Sequence, residues 1–317
     1  MGRLLTIGET LGVAVTETGD PLRTARTLRL STAGAESTVA IGMRRLGHEA
    51  AWVGVVGEDE IGARVLRDLA AEGVDTQFAR VDPDRPTGFM IRELRTAEYT
   101  RVTYYRDRSA GSGLAQADVE AALTADSGPD LVHLTGITPA LSATCADAVR
   151  RAVELASRAR IPISFDVNYR STLSGSSGTA ALVKELLPQI DILFVGDDEL
   201  ALATDETDLR RAARGLLTRG PDEVVVKRGA DGALAVSADG AEVEHSAVRV
   251  RVVDVIGAGD SFTAGYLAAR CDGLPLADRL HWATIAAACT VGTHGDWEGL
   301  PTRADLRHRG GGSVTVR

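Results

Sequence analysis

Three cysteines, Cys145, Cys271 and Cys289, are too few, too widely spaced and odd in number to form a disulfide framework or a cysteine-based metal site. Reduced thiols in a cytoplasmic protein are expected. No uninterrupted apolar run approaches the roughly 20 residues that a membrane-spanning helix needs, so no membrane partner is expected. The opening "MGRLLTIGETLGVAV" is broken at Gly8-Glu9 and lacks the long apolar core of a secretory signal. Positive charge is scarce: 35 Lys and Arg stand against 44 Asp and Glu, a net charge of −9. Such a surface cannot displace phosphate counterions, which argues against a nucleic-acid partner. An anionic substrate would have to meet a local cluster of Arg or Lys set against the global field. Two nucleotide signatures are also missing. The absence of G-x-x-x-x-G-K-[ST] excludes a P-loop kinase, and the absence of G-x-G-x-x-G near the first strand weakens a dehydrogenase reading.

What is present is alternation. "RLLTIG" (3–8), "AAWVGVVG" (50–57), "DLVHLTG" (130–136), "IPISFDV" (161–167), "DILFVG" (191–196) and "DEVVVKRG" (222–229) read as buried strands ending in turns. Between them, "AESTVAIGMRRLG", "EIGARVLRDLAAEG", "TCADAVRRAVELASRA" and "LRRAARGLLTRG" carry apolar residues at helical spacing. This pattern implies one α/β domain over 1–317, its mostly parallel sheet covered by helices on both faces. Two segments break the rhythm, approximately 10–33 and 86–106, and together would form a small β-appendage. The glycine-led tail 308–317 is expected to be flexible. Ligands of open α/β sheets bind outside the carboxyl ends of strands. That rule gathers "DVNYR" (166–170), "GDDE" (196–199), "KRGADG" (227–232) and the glycines at 257–259 on one rim.

In "VVDVIGAGDSFTAGYLAA" (252–269) an apolar run meets a glycine turn, Gly257-Ala258-Gly259, then Asp260, then a helical pattern. Free amides at a helix start attract anions, and a phosphoryl group in transfer spreads negative charge over its oxygens. Asp260, held just inside, would accept a proton from an attacking hydroxyl. The competing explanation is structural, because Asp is a favoured helix N-cap and glycine often precedes a helix. In "VVVKRGADGALAV" (224–236), Gly229 and Gly232 suit either a hairpin turn or a backbone passing close to a nucleotide. Lys227 is either a phosphate contact or a strand-end cation. Strand alternation should point one of Tyr104 and Tyr105 inward. Arg170 ends a strand with a planar fork suited to a carboxylate or phosphate, or else to a surface ion pair.

The stretch "DVIGAGDSFTAGYLAA" resembles the C-terminal signature of the ribokinase-like (PfkB) carbohydrate kinases, and "AGAESTVAIGMRRLGHEAAWVGVVGEDEIG" (33–62) resembles their N-terminal signature. The resemblance runs from about residue 3 to 307. It implies a Rossmann-like sheet sandwiched by helices, a β-lid at the two irregular segments that doubles as a homodimer or higher homo-oligomer contact, and ATP with Mg²⁺. It makes Asp260 the base and gives the Gly257, Ala258 and Gly259 amides the anion hole. It assigns Asn168, Lys227, Gly229 and Gly232, with Gly257 and Gly259, to ATP. Departures are Val255 where Thr is common, and Gly196 where the family's Asn-x-x-Glu has Asn; Glu199 matches, leaving it an indirect link to the metal.

"TYYRDRSAGSG" (103–113), "LTGITPALS" (134–142), "DVNYR" and "GDWEG" (295–299) are further similar to the 2-keto-3-deoxygluconate kinase branch. That similarity implies that Gly34, Tyr104, Tyr105, Arg106, Arg170 and Asp296 meet a sugar acid whose 6-hydroxyl is phosphorylated. Met90 stands where a Tyr occurs in this branch. The rivals are a kinase for fructose, ribose or the galactose epimer, and a catalytically silent binder on the same fold.

Overall fold

β-branched and leucine-rich runs without polar interruption become the interior strands. In chain order these are β1 (Arg3–Ile7), β2 (Leu11–Val15), β3 (Arg29–Ala33), β4 (Glu49–Val53), β5 (Val55–Gly57), β6 (Arg80–Asp82), β7 (Phe89–Leu94) and β8 (Thr100–Tyr105). They continue with β9 (Leu131–Thr135), β10 (Ile163–Asp166), β11 (Ile192–Gly196), β12 (Glu223–Lys227), β13 (Ala233–Ser237) and β14 (Glu242–His245). The helices are α1 (Ala35–Arg45), α2 (Glu60–Ala71), α3 (Gln116–Leu123), α4 (Ala143–Ala159), α5 (Ser176–Leu186), α6 (Leu200–Ala203), α7 (Leu209–Leu217), α8 (Ala258–Cys271), α9 (Leu276–Val291) and α10 (Arg303–Arg309). The computed structural model describes residues 1–96, 100–125, 128–173 and 175–309, apart from the side chains of Ser176, His308 and Arg309. Of the tail expected at 308–317, residues 308 and 309 close α10 and the rest lies outside the described residues.

The main sheet runs β14-β13-β12-β11-β10-β9-β1-β4. Pairing is parallel from β4 to β12 and antiparallel across β12-β13-β14. Side chains alternate between two buried clusters on opposite faces: Leu193, Val195, Val224 and Val226 on one, Ile192, Phe194 and Val225 on the other. This double burial is why the strands read as continuous apolar runs. The chain departs from β1 toward β4 on one side and toward β9 on the other, so the strand order reverses there. The carboxyl ends of β1, β9, β10, β11 and β12 open on one rim.

A second sheet, β3-β2-β7-β8, stands beside that rim. Leu11, Val13, Val15, Ala33, Met90 and Leu94 form its own small core. β2 and β3 lie inside the polar-looking segment 10–33, where the buried "LGVAV" of β2 follows too soon after β1 to stand out as a separate strand. The run "AAWVGVVG" splits at Gly54 into β4 and β5, because any side chain there would collide with the Trp52 ring and the Gly8 carbonyl. β5 instead pairs with β6. Helix starts follow their capping chemistry: Asp59 accepts from the Gly62 amide (2.7 Å) at α2, and Ser142 accepts from the Cys145 amide (3.1 Å) at α4. Among the described residues, no helix is long and apolar enough to cross a membrane.

Candidate active site

Gly257 caps α8 with φ 75°, a left-handed conformation that strains any side chain, and a Cβ there would collide with the Asp296 carbonyl oxygen. Glycine is therefore doubly required. The Ser261 amide donates to the Gly257 carbonyl (2.8 Å), and the Ala258 amide reaches the Val255 carbonyl only at 3.4 Å. Among the described residues the amides of Gly257, Gly259 and Asp260 have no acceptor. An α-helix start with free amides presents partial positive charge to whatever lies in front of it.

Asp260 sits in the first turn of α8, and its Oδ1 accepts from the Asn168 side-chain amide at 3.1 Å. Burial pushes its pKa up to about 6, with the Asp166 carboxylate adding to the rise and Arg170, Lys227 and the Asn168 hydrogen bond opposing it. A proton acceptor must be ionised, so activity that depends on Asp260 falls as pH drops through about 6. Each further unit of acid should lower kcat/KM about tenfold, measurable as the acidic limb of a pH–rate profile. Asn168 itself has φ 38°, a rare conformation for a residue with a side chain. Glu199 holds that backbone: its Oε1 accepts from the Tyr169 amide (2.6 Å) and its Oε2 from the Gly196 amide (2.7 Å).

The turn at 257–259 is a wall between two cavities. The larger, about 560 Å³, is mainly apolar and is lined by Lys227, Gly229, Gly232, Val255, Ala258, Gly259 and Phe262, among others. The smaller, about 200 Å³, is the more polar of the two and is lined by Gly34, Tyr104, Arg106, Arg170, Gly257, Asp260 and Asp296, together with Glu9, Glu36 and Met90. The helix start therefore looks into both. Lys227 stands beside it at the end of β12, and its ammonium bridges both Asp166 oxygens (2.8 and 2.6 Å). Burial lowers its pKa, but Asp166 and Glu199 outweigh burial and the net shift is upward.

The expected residues separate by position. Tyr105 lines neither cavity and is 59% exposed, because on β8 it points opposite to Tyr104. Asn168 also lines neither; its amide is spent on Asp260. Gly232 has φ 94°, and a Cβ there would collide with the His245 carbonyl; Gly229, at φ 52°, has open space around it. Their backbone is that of the β12–β13 hairpin, set at the edge of the larger cavity. A side chain on Gly34 would come within 2.6 Å of the Glu9 carbonyl, so α1 starts close against the strand end. Glu199 lines neither cavity, and among the described residues no three His, Cys, Asp or Glu side chains form a metal cluster.

The charges of the smaller cavity are mostly paired. Arg106 pairs with Glu9, stands 5.5 Å over the Tyr104 ring, and Ser109 also donates to Glu9. Glu36 is buried, with its Oε1 accepting from Thr135 (2.7 Å) and Thr138 (2.6 Å); burial pushes its pKa to about 7. Asp296 is pushed to about 7 by burial, against the pull of Arg92. Arg170 is exposed and makes no hydrogen bond or ion pair with its side chain among the described residues, though its charge is felt by Asp260. Three of these groups escaped the sequence reading. Glu9 follows β1 at its carboxyl end, and Glu36 falls on the buried face of α1, so position relative to the rim was the usable signal for both. Arg92 gave none, since an Arg in an alternating strand reads as solvent-facing.

The model of the pfkB family carbohydrate kinases matches residues 1–303. Over 304 residues the chain is 33% identical to the 2-dehydro-3-deoxygluconokinase of Bacillus subtilis, covering 95% of this chain and 93% of that one. It is 32% identical to the 2-dehydro-3-deoxygalactonokinase of Haloferax volcanii, covering 92% of each. Among solved structures, a putative ribokinase II from E. coli in complex with ATP and Mg²⁺ superposes with a TM-score of 0.90 at 27% identity, covering 97% of this chain and 98% of that one. The family model covers nearly the whole sequence, and the similarity to these relatives extends over more than nine-tenths of it: the chain belongs to the pfkB family of carbohydrate kinases.

Proposed function

We propose that the protein transfers the γ-phosphoryl group of ATP to the 6-hydroxyl of 2-keto-3-deoxygluconate, also written 2-dehydro-3-deoxygluconate. The observation that carries this reading is the start of α8, which faces an apolar cavity with Ala258 and Gly259 and a polar cavity with Gly257 and Asp260. ATP enters the larger cavity, its base against Val248, Ala287 and Val291 and its phosphates directed to the helix start. The sugar acid enters the smaller one. Asp260 takes the proton of the attacking hydroxyl, and the free amides of Gly257 and Gly259 hold the phosphoryl oxygens as charge shifts onto them. The Ala258 amide is the least available of the three.

Magnesium fits as a companion of the nucleotide rather than as a caged ion. Mg²⁺ keeps several waters and leans on one or two carboxylates plus phosphates. Asp166 and Glu199 line neither cavity and their oxygens are held by Lys227 and by the Tyr169 and Gly196 amides, so these carboxylates would act on the ion through its waters. When bound, it neutralises charge on the phosphate oxygens.

The preference for an acid rests on Arg170. Arg106 is already committed to Glu9, so Arg170 is the cation of the smaller cavity left to receive a carboxylate. Arg170→Leu should lower kcat/KM for the sugar acid about 10–100-fold, the value of a hydrogen bond to a charged group. Activity on neutral sugars, assayed well above pH 6 so that Asp260 stays ionised without the Arg170 charge that lowers its pKa, should stay within about twofold, which steady-state kinetics on both classes would check. The reading as a whole is tested by ADP release with Mg-ATP against 2-keto-3-deoxygluconate, its galactose epimer, 5-dehydro-2-deoxygluconate, fructose, ribose and no sugar. Preference for the first supports it. Preference for the epimer changes the stereochemical assignment, and preference for a neutral sugar removes the role given to Arg170. Relatives named for both 2-dehydro-3-deoxy and 5-dehydro-2-deoxy sugar acids support an acid in this cavity.

A further inference from the structure

The largest charged side chain in the interior belongs to neither cavity. Arg92 lies on β7 of the second sheet, is 1% exposed, and lines neither the apolar nor the polar cavity. Its Nη2 donates to Asp254 and its Nη1 to Asp296 Oδ2 at 3.2 Å, while its Nε is buried without a partner. Burying a guanidinium costs several kcal/mol unless carboxylates compensate it, and an unsatisfied N–H adds to that cost. A purely structural need on a small sheet would be met more cheaply by an apolar residue.

The two carboxylates it joins flank the phosphoryl-binding turn. Asp254 Oδ1 accepts from the Ile256 amide (3.2 Å), one residue before Gly257, and its Oδ2 accepts from the Gly295 amide (3.2 Å), one residue before Asp296. The Asp296 carbonyl is the atom that packs against Gly257. One guanidinium thus ties both walls of the turn to a strand of the second sheet. The loop at 295–298 is further joined to β3 of that sheet, where Ser31 donates to Glu298 Oε1 (2.7 Å) and the Trp297 indole donates to the Thr32 carbonyl (2.8 Å).

We propose that Arg92 is a positioning residue for phosphoryl transfer: by bridging Asp254 and Asp296 it holds the Gly257–Gly259 turn in register with the sheet that covers the sugar. This rests on the assignment of that turn to phosphoryl transfer. Because Arg92 itself touches neither cavity, its loss should act mainly on kcat and leave KM for ATP nearly alone, with a smaller rise in sugar KM through Asp296, which lines the smaller cavity.

The test is steady-state kinetics and thermal melting of Arg92→Ala, Arg92→Lys and Asp260→Asn with Mg-ATP and the best sugar of the panel. The Ala variant is assayed with and without guanidinium ion, at concentrations that leave the wild-type melting curve unchanged. The expected result is a kcat for Arg92→Ala lower by about 10²-fold or more, the scale of a misplaced anion-hole donor. KM for ATP should stay within about threefold, any rise in sugar KM should be smaller than the fall in kcat, guanidinium should restore at least a tenth of the lost rate, and Arg92→Lys should fall between. Should Arg92→Ala fail to fold, Arg92→Lys decides alone: kcat lower by about tenfold with unchanged KM for ATP supports the role. Wild-type kcat in either folded variant overturns it, as does a loss confined to KM or one that guanidinium leaves unchanged. If Asp260→Asn also turns over at the wild-type rate, the turn itself has been misassigned and the role of Arg92 falls with it. If only the Arg92 variants remain active, the turn stands and Arg92 is structural.

Discussion

Asp260→Asn should lower kcat by about 10²–10⁴-fold, the usual contribution of a positioned general base, with KM for ATP and sugar close to wild type. The substitution removes the proton acceptor and little else. An Asn at this position keeps an oxygen for the Asn168 amide, so the strained backbone at Asn168 and the Glu199 clamp that holds it remain supported. The start of α8 keeps its shape, because the free amides belong to the backbone. Loss of the carboxylate also removes a charge that helps raise the pKa values of Glu36 and Asp296, both near 7. With the group that titrates near 6 gone, the residual activity should lose the acidic limb there, and a full pH–rate profile of both proteins checks this. Wild-type kcat in the mutant would place the base elsewhere.

The second large effect is expected from Gly257→Ala. A residue with a side chain in a left-handed conformation costs about 1–2 kcal/mol, and here the new methyl also collides with the Asp296 carbonyl. That carbonyl has little room to retreat, since the Asp296 side chain is held by Arg92 and its neighbour Glu298 by Ser31. The turn must move instead, carrying the Gly257 and Gly259 amides away from the transferring group. Losing one such donor costs about 10²–10³ in kcat, so a loss of at least that size is expected, with a lowered melting temperature. Gly259→Ala is the control for stability: φ is not positive there, and a Cβ meets only the Lys227 ammonium, at 3.6 Å. Its melting temperature should stay near wild type. Equal melting temperatures for the two variants would contradict the constraint argued for Gly257.

Much of this was legible in the sequence, for identifiable reasons. Strands buried on both faces leave unbroken apolar runs, and β1, β9, β10, β11 and β12 were read within a few residues of their ends. The glycine turn and Asp260 stood out because their chemistry is local: a turn, a cap and a carboxylate within four residues. Arg170 came through its position at a strand end, and Asp296 through the resemblance carried by "GDWEG". What escaped depends on contacts distant in sequence. Glu9 and Arg106 are 97 residues apart, and Arg92 and Asp254 are 162 apart. No periodicity marks an arginine that will be buried between two aspartates. Pair alternation also left the two tyrosines unresolved until the β7–β8 register turned Tyr104 toward the cavity and Tyr105 away. Asn168, expected near phosphates, donates to Asp260 from a left-handed backbone, a contact 92 residues long in sequence.

The most direct measurement is phosphorus NMR of the products formed from Mg-ATP and 2-keto-3-deoxygluconate. Phosphoryl transfer to the 6-hydroxyl predicts one new phosphomonoester signal, coupled to a methylene pair and growing in step with ADP. ADP accompanied only by inorganic phosphate would contradict a site in which the start of α8 passes phosphate from one cavity to a hydroxyl in the other, and no ADP at all would contradict 2-keto-3-deoxygluconate as its acceptor.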